Sequence, residues 1–244
     1  MTGPRAPHAL RYGVDGWPYL AGLGGGAVVL GAATAALATT AQGRLRWAAA
    51  LTGTVAVAAL IPASLGLDYV LAGKLALRER VMDAVAWRGD EVVLDVGAGA
   101  GLLAVAAAHH VPRGRVVAVD LWVAKDLSSN SAGRLRRNAE LDGVLDRVEI
   151  RTSDARALDL PAGSVDVVVS SLCLHNIPDT AGRHAAVTEI ARVLRPGGTV
   201  IVADLAGTHA VAQWLTEAGL IVRHHDRVPR TFPPQRLLVA DAAP

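Results

Sequence analysis

Cysteine is nearly missing from this chain, and Cys173 is its one thiol. That excludes an intrachain disulfide framework and any metal site built from several thiolates, and it fits a reducing, cytoplasmic compartment. Lysine is almost as scarce: Lys74 and Lys125 stand against a large excess of arginine. With alanine and glycine abundant, this reads as a coding bias rather than a binding surface. A net charge of +2 leaves no basic face broad enough to hold a phosphate backbone, so nucleic acid is not an expected partner. No metal is expected either, because the histidines do not cluster with other ligands at metal-site spacing.

Charge is also missing over two long runs. Residues 16–43 contain no charged side chain over about 28 positions, and residues 47–67 none over about 21; each is long enough to span a bilayer as a helix. The pair reads as an N-terminal transmembrane hairpin with helices at about 17–41 and 47–67 in a segment 1–67. Gly22 and Gly26, four apart, are expected to let the two backbones approach. Trp17, Tyr19 and Trp47 are placed for the membrane interface. Two alternatives remain at this level, a signal peptide and a pair of buried core helices. Arg5, Arg11, Lys74, Arg78 and Arg80 flank the hairpin against Arg44 and Arg46 in its turn, which favours both ends inside. A multi-pass protein of the cell membrane with a cytoplasmic catalytic domain is the expected localisation.

Residues 68–90 predict a connecting helix, and 91–244 a separate domain. There short apolar strands (91–96, 115–120, 147–151, 165–170, 199–204) alternate with helices (101–109, 128–141, 181–194, 208–218). Two closing strands follow, at 220–224 and 236–240. Such alternation implies an α/β fold, a parallel sheet covered on both faces.

In that architecture "VLDVGAGAGLLAV" occupies the first strand, its turn and the start of the first helix. Ligands enter such sheets at the carboxyl ends of the strands, beside free helix N–H groups. Gly97, Gly99 and Gly101 let the backbone turn sharply and approach a ligand without an intervening side chain. Dinucleotide sites take a glycine at the sixth position of this turn, where Leu102 stands.

The G-x-G-x-G turn preceded by Asp95 resembles motif I of the class I S-adenosylmethionine-dependent methyltransferases. "VVAVD", "TSDARAL", "LPAGSVDVVVSSLCLHNIPD" and "EIARVLRPGGTVIVADL" continue the resemblance in order from about residue 91 to 204. The similarity is nearest to small-molecule enzymes of the ubiquinone/menaquinone C-methyltransferase type (methyltransferase type 11) and to a membrane-linked bacterial subgroup. It implies a doubly wound, Rossmann-like seven-stranded sheet with an antiparallel last strand, and S-adenosyl-L-methionine as cofactor. It carries cofactor binding onto Asp95, Gly97, Ala98, Gly99, Gly101, Asp120, Leu121, Asp154, Ala155 and Ser170. Asp120 is placed for the two ribose hydroxyls, and Asp154 with the Ala155 amide for the adenine. Relatives often carry cysteine where Ala98 stands, and a small residue still fits. The Asp-Pro-Pro-Tyr-like tetrapeptide of adenine and amide N-methylating enzymes is absent after the fourth strand.

Methyl transfer of this kind needs alignment and exclusion of water more than a strong acid or base. His175 in "LCLHNIP" is the titratable group near the fourth strand suited to act as base at neutral pH, or else a loop-capping histidine. Trp122 is a candidate to stack on adenine, and Asp126, Ser128 and Asn130 to face the substrate. Helix N-capping by Ser128 or Ser129 is the rival reading. Asn176 is read as an assistant to His175 or a turn former, and Cys173 as a packed residue. The expected function is a membrane-anchored methyltransferase acting on a small, hydrophobic or lipid-like acceptor. The alternatives are a catalytically silent membrane subunit of the same fold, and a nicotinamide oxidoreductase that Leu102 argues against.

Overall fold

The computed structural model describes residues 8–15, 17–40, 42–43 and 45–244. Arg5, Gly16 and Arg44, which figure in the hairpin and orientation readings, lie outside the described residues, as do the side chains of Trp17 and Tyr19. A 3-10 turn (His8–Tyr12) precedes two long helices, α1 (Trp17–Thr40) and α2 (Leu45–Asp68). A π-helical turn (Tyr69–Gly73) leads from α2 into α3 (Lys74–Asp83).

Both apolar helices are long enough to cross a membrane. Val28, Val29, Leu51, Val57 and Ile61 point away from the protein and are each more than half exposed. Leaving such side chains in water forgoes about 1.5–3 kcal/mol apiece, and the pair is not buried within this chain. The expected approach at Gly22 and Gly26 is corrected: beyond their own helix backbone, neither has an atom of the described residues within 4 Å of where a side chain would begin. The helices meet elsewhere. A Cβ on Gly53 would lie 3.2 Å from the Thr34 methyl, and the Thr34 and Thr52 hydroxyls hydrogen-bond at 2.9 Å.

The remaining chain alternates as its pattern predicts: β1 (Val92–Val96), α4 (Leu102–His110), β2 (Arg115–Asp120), α5 (Ala132–Leu141), β3 (Val148–Thr152), β4 (Val165–Ser171) and α6 (Thr180–Val193). Then come β5 (Leu194–Asp204), α7 (Thr208–Glu217), β6 (Leu220–Val228) and β7 (Gln235–Ala242). The sheet order is β3-β2-β1-β4-β5-β7-β6, with β1 to β5 parallel and β7 antiparallel to both neighbours.

Strand residues divide by parity. Val93, Val116, Ala118, Val167 and Ile201 join the core under α4 and α5, while Leu94, Val117, Val168 and Val200 join the core under α6 and α7. Alternate side chains leave opposite faces, and both faces are covered, so each central strand reads as an unbroken apolar run. The order reverses between β1 and β4, which opens a crevice at their carboxyl ends.

Several element boundaries differ from the sequence expectation, β6 among them, which runs to Val228 rather than 224. The helix placed at 128–141 starts at Ala132, because Ser131, not Ser128 or Ser129, accepts the Arg134 N–H as its cap. The connecting helix is shortened to the π turn and α3. β5 starts five residues early, since pairing with β4 begins at Leu194 and resumes at Thr199 beyond an irregularity.

Candidate functional site

A cavity of about 420 Å³ occupies the crevice. Its floor is the turn after β1. There the Gly97 and Ala98 amides both donate to the Val119 carbonyl, and Gly101 N–H closes back on Ala98 O at 2.7 Å before α4 starts. Gly97, Gly99 and Gly101 hold φ of +76°, +53° and +87°, a region side chains strongly disfavour.

The room their missing side chains leave is used by the protein itself. A Cβ on Gly97 would collide with Cys173, one on Gly99 would lie 3.1 Å from Leu127, and one on Gly101 2.9 Å from Leu135. Gly97 and Gly99 line the cavity together with Cys173 and Leu127. The glycines permit the turn and its close packing against these side chains.

Asp95 lies under this floor at the end of β1. It is fully buried, its Oδ2 has no partner, and burial pushes its carboxyl up to about 7, with the Asp120 charge adding and an Ala104 amide opposing. Asp120, ending β2, accepts from Gly99 N at 2.8 Å and Trp122 N at 2.5 Å. Leu121 lines the cavity and is half exposed. Trp122 does not line it: its indole donates to Thr152 Oγ1 at 2.8 Å and packs toward β3, so the stacking role has no support in its position.

Asp154 and Ala155 line the cavity after β3. The Arg156 guanidinium grips Asp154 at 2.6 and 3.0 Å and holds its carboxyl below the usual range. Ser170 is placed differently from its expected role, buried with its hydroxyl donating to Val96 O at 2.8 Å, and Ser171 reaches the cavity instead. Asp126 and Asn130 line the roof loop; burial raises the Asp126 carboxyl.

His175 sits in a 3-10 turn (Leu174–Asn176) and is not among the lining residues, although Cys173, Asn176 and Ile177 are. Its Nδ1 lies 2.6 Å from Asp204 Oδ1, and its backbone N–H donates to Asp204 Oδ2 at 3.2 Å. Asp204, buried at the end of β5, also accepts from Leu205 N at 2.7 Å. Asn176 serves the turn, donating to Leu172 O at 3.2 Å. Burial raises the Cys173 thiol, which suits packing over nucleophilic work.

Sequence reasoning passed over Asp204 and four lining residues from the ends of the hairpin: Tyr12, Asp15, Tyr69 and Lys74. One signal was available. Lys74 is one of two lysines, and it is 1% exposed. Among the described residues, six carboxylates (Asp15, Asp95, Asp120, Asp126, Asp154 and Asp179) line the cavity against three cations, Lys74, Lys125 and Arg156. The lining is acidic and suits a positively charged ligand.

Residues 93–198 match a family model described as a methyltransferase domain. An uncharacterized methyltransferase of Mycobacterium tuberculosis is 32% identical over 124 residues, covering 51% of this chain and 55% of that protein. The ubiquinone/menaquinone biosynthesis C-methyltransferase UbiE of Hydrogenovibrio crunogenus is 35% identical over 120 residues, covering 49% and 44%. The chain thus spans about half the length of the curated relatives it matches. The crystal structure of a SAM-dependent methyltransferase from Aquifex aeolicus superposes with a TM-score of 0.58 at 21% identity, over 75% of this chain and 98% of that one.

Residues 93–198 thus match a methyltransferase domain, on a sheet with the fold of a SAM-dependent methyltransferase, and S-adenosyl-L-methionine is the cofactor such a domain implies. The residues present fit that group: a buried carboxylate oxygen without a partner among the described residues and an acidic lining suit a cationic nucleoside.

Proposed function

We propose that the protein is a membrane-anchored methyltransferase that modifies a small, hydrophobic or membrane-resident acceptor. One observation carries the reading: an acidic cavity that fits the cofactor is walled in part by the ends of an exposed apolar hairpin. S-adenosylmethionine, when bound, supplies a methyl group on a cationic sulfur. Asp95 and Asp120 would hold its positive and hydroxyl-bearing parts, and Asp154 with Ala155 its base. Tethering in the bilayer raises the effective concentration of any acceptor confined there. The name of the relative UbiE, a ubiquinone/menaquinone biosynthesis C-methyltransferase, supports an acceptor of that physical kind.

Where the acceptor must lose a proton, His175 Nε2 would take it, with the Asp204 carboxylate 2.6 Å from Nδ1 placed to balance the charge that the ring gains.

A second reading, a silent subunit that binds the cofactor without turnover, is favoured by the position of His175 outside the lining. The full chain in detergent micelles separates them. Titration calorimetry with S-adenosylhomocysteine should show binding, and membrane extracts incubated with methyl-labelled cofactor should yield a labelled product by mass spectrometry. Binding with no labelled product would leave the second reading standing. No binding would overturn both.

A further inference from the structure

The two ends of the hairpin do more than connect. The segment before α1, residues 8–15, crosses the cavity rim as a strap, and the segment after α2 supplies Tyr69 and Lys74. Tyr12 packs on Ala100 of the glycine loop and on Leu127 of the roof. Val14 N–H donates to Ser128 Oγ at 2.9 Å while Ser128 N–H returns to Val14 O at 3.2 Å, and Asp15 forms a β-bridge with Leu127. One amide, Asn138 Nδ2, reaches both Arg11 O in the strap and Ala100 O in the floor, at 3.0 and 2.8 Å.

Lys74 closes the arrangement. Its ammonium donates to Gly13 O at 2.6 Å and Asp15 Oδ2 at 2.8 Å, across 61 and 59 residues of sequence. An ammonium this deeply buried is tolerated only with a paired charge and hydrogen bonds. Both partners come from the strap. The strap in turn is joined to α1 through Gly16 alone, so the ion pair ties the start of one apolar helix to the end of the other, beside the cavity.

We propose that Lys74 is a positioning residue for the cofactor: it latches residues 8–15 over the loaded cavity, so that the hairpin forms one wall of the cofactor site. The proposal rests on the cofactor reading above. Lys74 acts through Tyr12 and Asp15, which it holds against the rim. Opening the strap strips the ammonium of both partners, which makes the closed arrangement the stable one and dissociation of the cofactor slow.

The test uses the full chain in detergent micelles with S-adenosylhomocysteine as probe. Lys74→Met should weaken binding at least tenfold, mostly through faster dissociation, and Lys74→Arg should restore most of it, a pattern that general destabilisation does not produce. Bound ligand should slow tryptic cleavage after Arg11 severalfold in the unaltered protein and hardly at all in Lys74→Met. Dissociation rates equal to wild type in Lys74→Met, or cleavage after Arg11 indifferent to ligand, would overturn the latch while leaving the cofactor reading intact. Failure of the unaltered chain to bind would overturn the cofactor reading itself, and the latch with it. Should Lys74→Met not fold, Asp15→Asn leaves the ammonium its bond to Gly13 O and is expected to speed dissociation by a smaller factor. An Asp15→Asn protein with the wild-type rate would then overturn the latch.

Discussion

The two sides of the cavity are built by different means. The floor is main chain: a turn at positive φ, amides donating inward to Val119 O, and glycines pressed against Cys173, Leu127 and Leu135. The strap side is held by side chains reaching across long stretches of sequence, namely Lys74, Asn138 and Arg134, whose guanidinium donates to Leu10 O and Arg11 O. A main-chain wall is fixed by steric exclusion and has one conformation. A wall held by a few polar contacts can release them to water and close again, which places opening on the strap side.

The contrast is tested hardest at Gly97. Its φ of +76° and the adjacent Cys173 side chain both reject a Cβ. Gly97→Ala should therefore cost about 2–5 kcal/mol, from backbone strain plus overpacking, read as a large drop in thermal midpoint. Adding Cys173→Gly should return the packing share and leave the strain. Full recovery by the second change would mean that the turn is not strained, and the main-chain account of the floor would fail.

A smaller effect probes the carboxylate below that floor. Burial pushes the Asp95 carboxyl up to about 7, so its folded pKa lies above the unfolded value. Its stabilising contribution is full below about pH 4, falls as pH rises toward 7, and is gone above that. Cofactor affinity moves the opposite way. A cationic ligand favours the ionised carboxyl, so S-adenosylmethionine should bind more tightly as pH rises to about 7, by at most about tenfold per unit, and level off beyond. Calorimetry from pH 5.5 to 8.5 checks this, with Asp95→Asn expected to flatten the profile. A wild-type profile already flat would remove Asp95 from the cofactor's surroundings.

What was legible in the sequence follows the same division. Asp95, the three glycines, Asp120 and Asp154 lie within short motifs whose backbone chemistry is local, and the apolar runs of β1, β2, β4 and β5 announce strands covered on both faces. The strap side carries no local pattern. Asp15 and Lys74 are 59 residues apart and meet because the hairpin returns the chain to its start. Asp204 meets His175 across 29 residues because β5 pairs beside β4. Ser128 looked like a helix cap, yet its hydroxyl is used by the strap, which moved the start of α5 to Ala132. Gly22 and Gly26 had the spacing of a helix contact, but which face of α1 meets α2 is set by Thr34, Thr52 and Gly53 together.

The smallest expected effect concerns how the second end of the hairpin rests on the domain. Arg230 forks onto Asp68 at 2.7 and 2.8 Å, an arrangement that looks like the attachment. Both side chains are 40% exposed or more, however, and water and salt screen such pairs to little net value. The closer contact is made by main chain: Arg230 O lies against Gly73 with no space for a Cβ. Arg230→Ala keeps that carbonyl and should leave the thermal midpoint, its salt dependence and S-adenosylhomocysteine affinity within error of wild type. Gly73→Ala should lower the midpoint clearly, because neither backbone can yield without shifting the Tyr69–Lys74 turn that walls the cavity. If the order is reversed, with Arg230→Ala the more damaging and its effect growing as salt is removed, the hairpin is docked by charge. The strap side would then be an electrostatic wall throughout, with Lys74 one contact in a wider network.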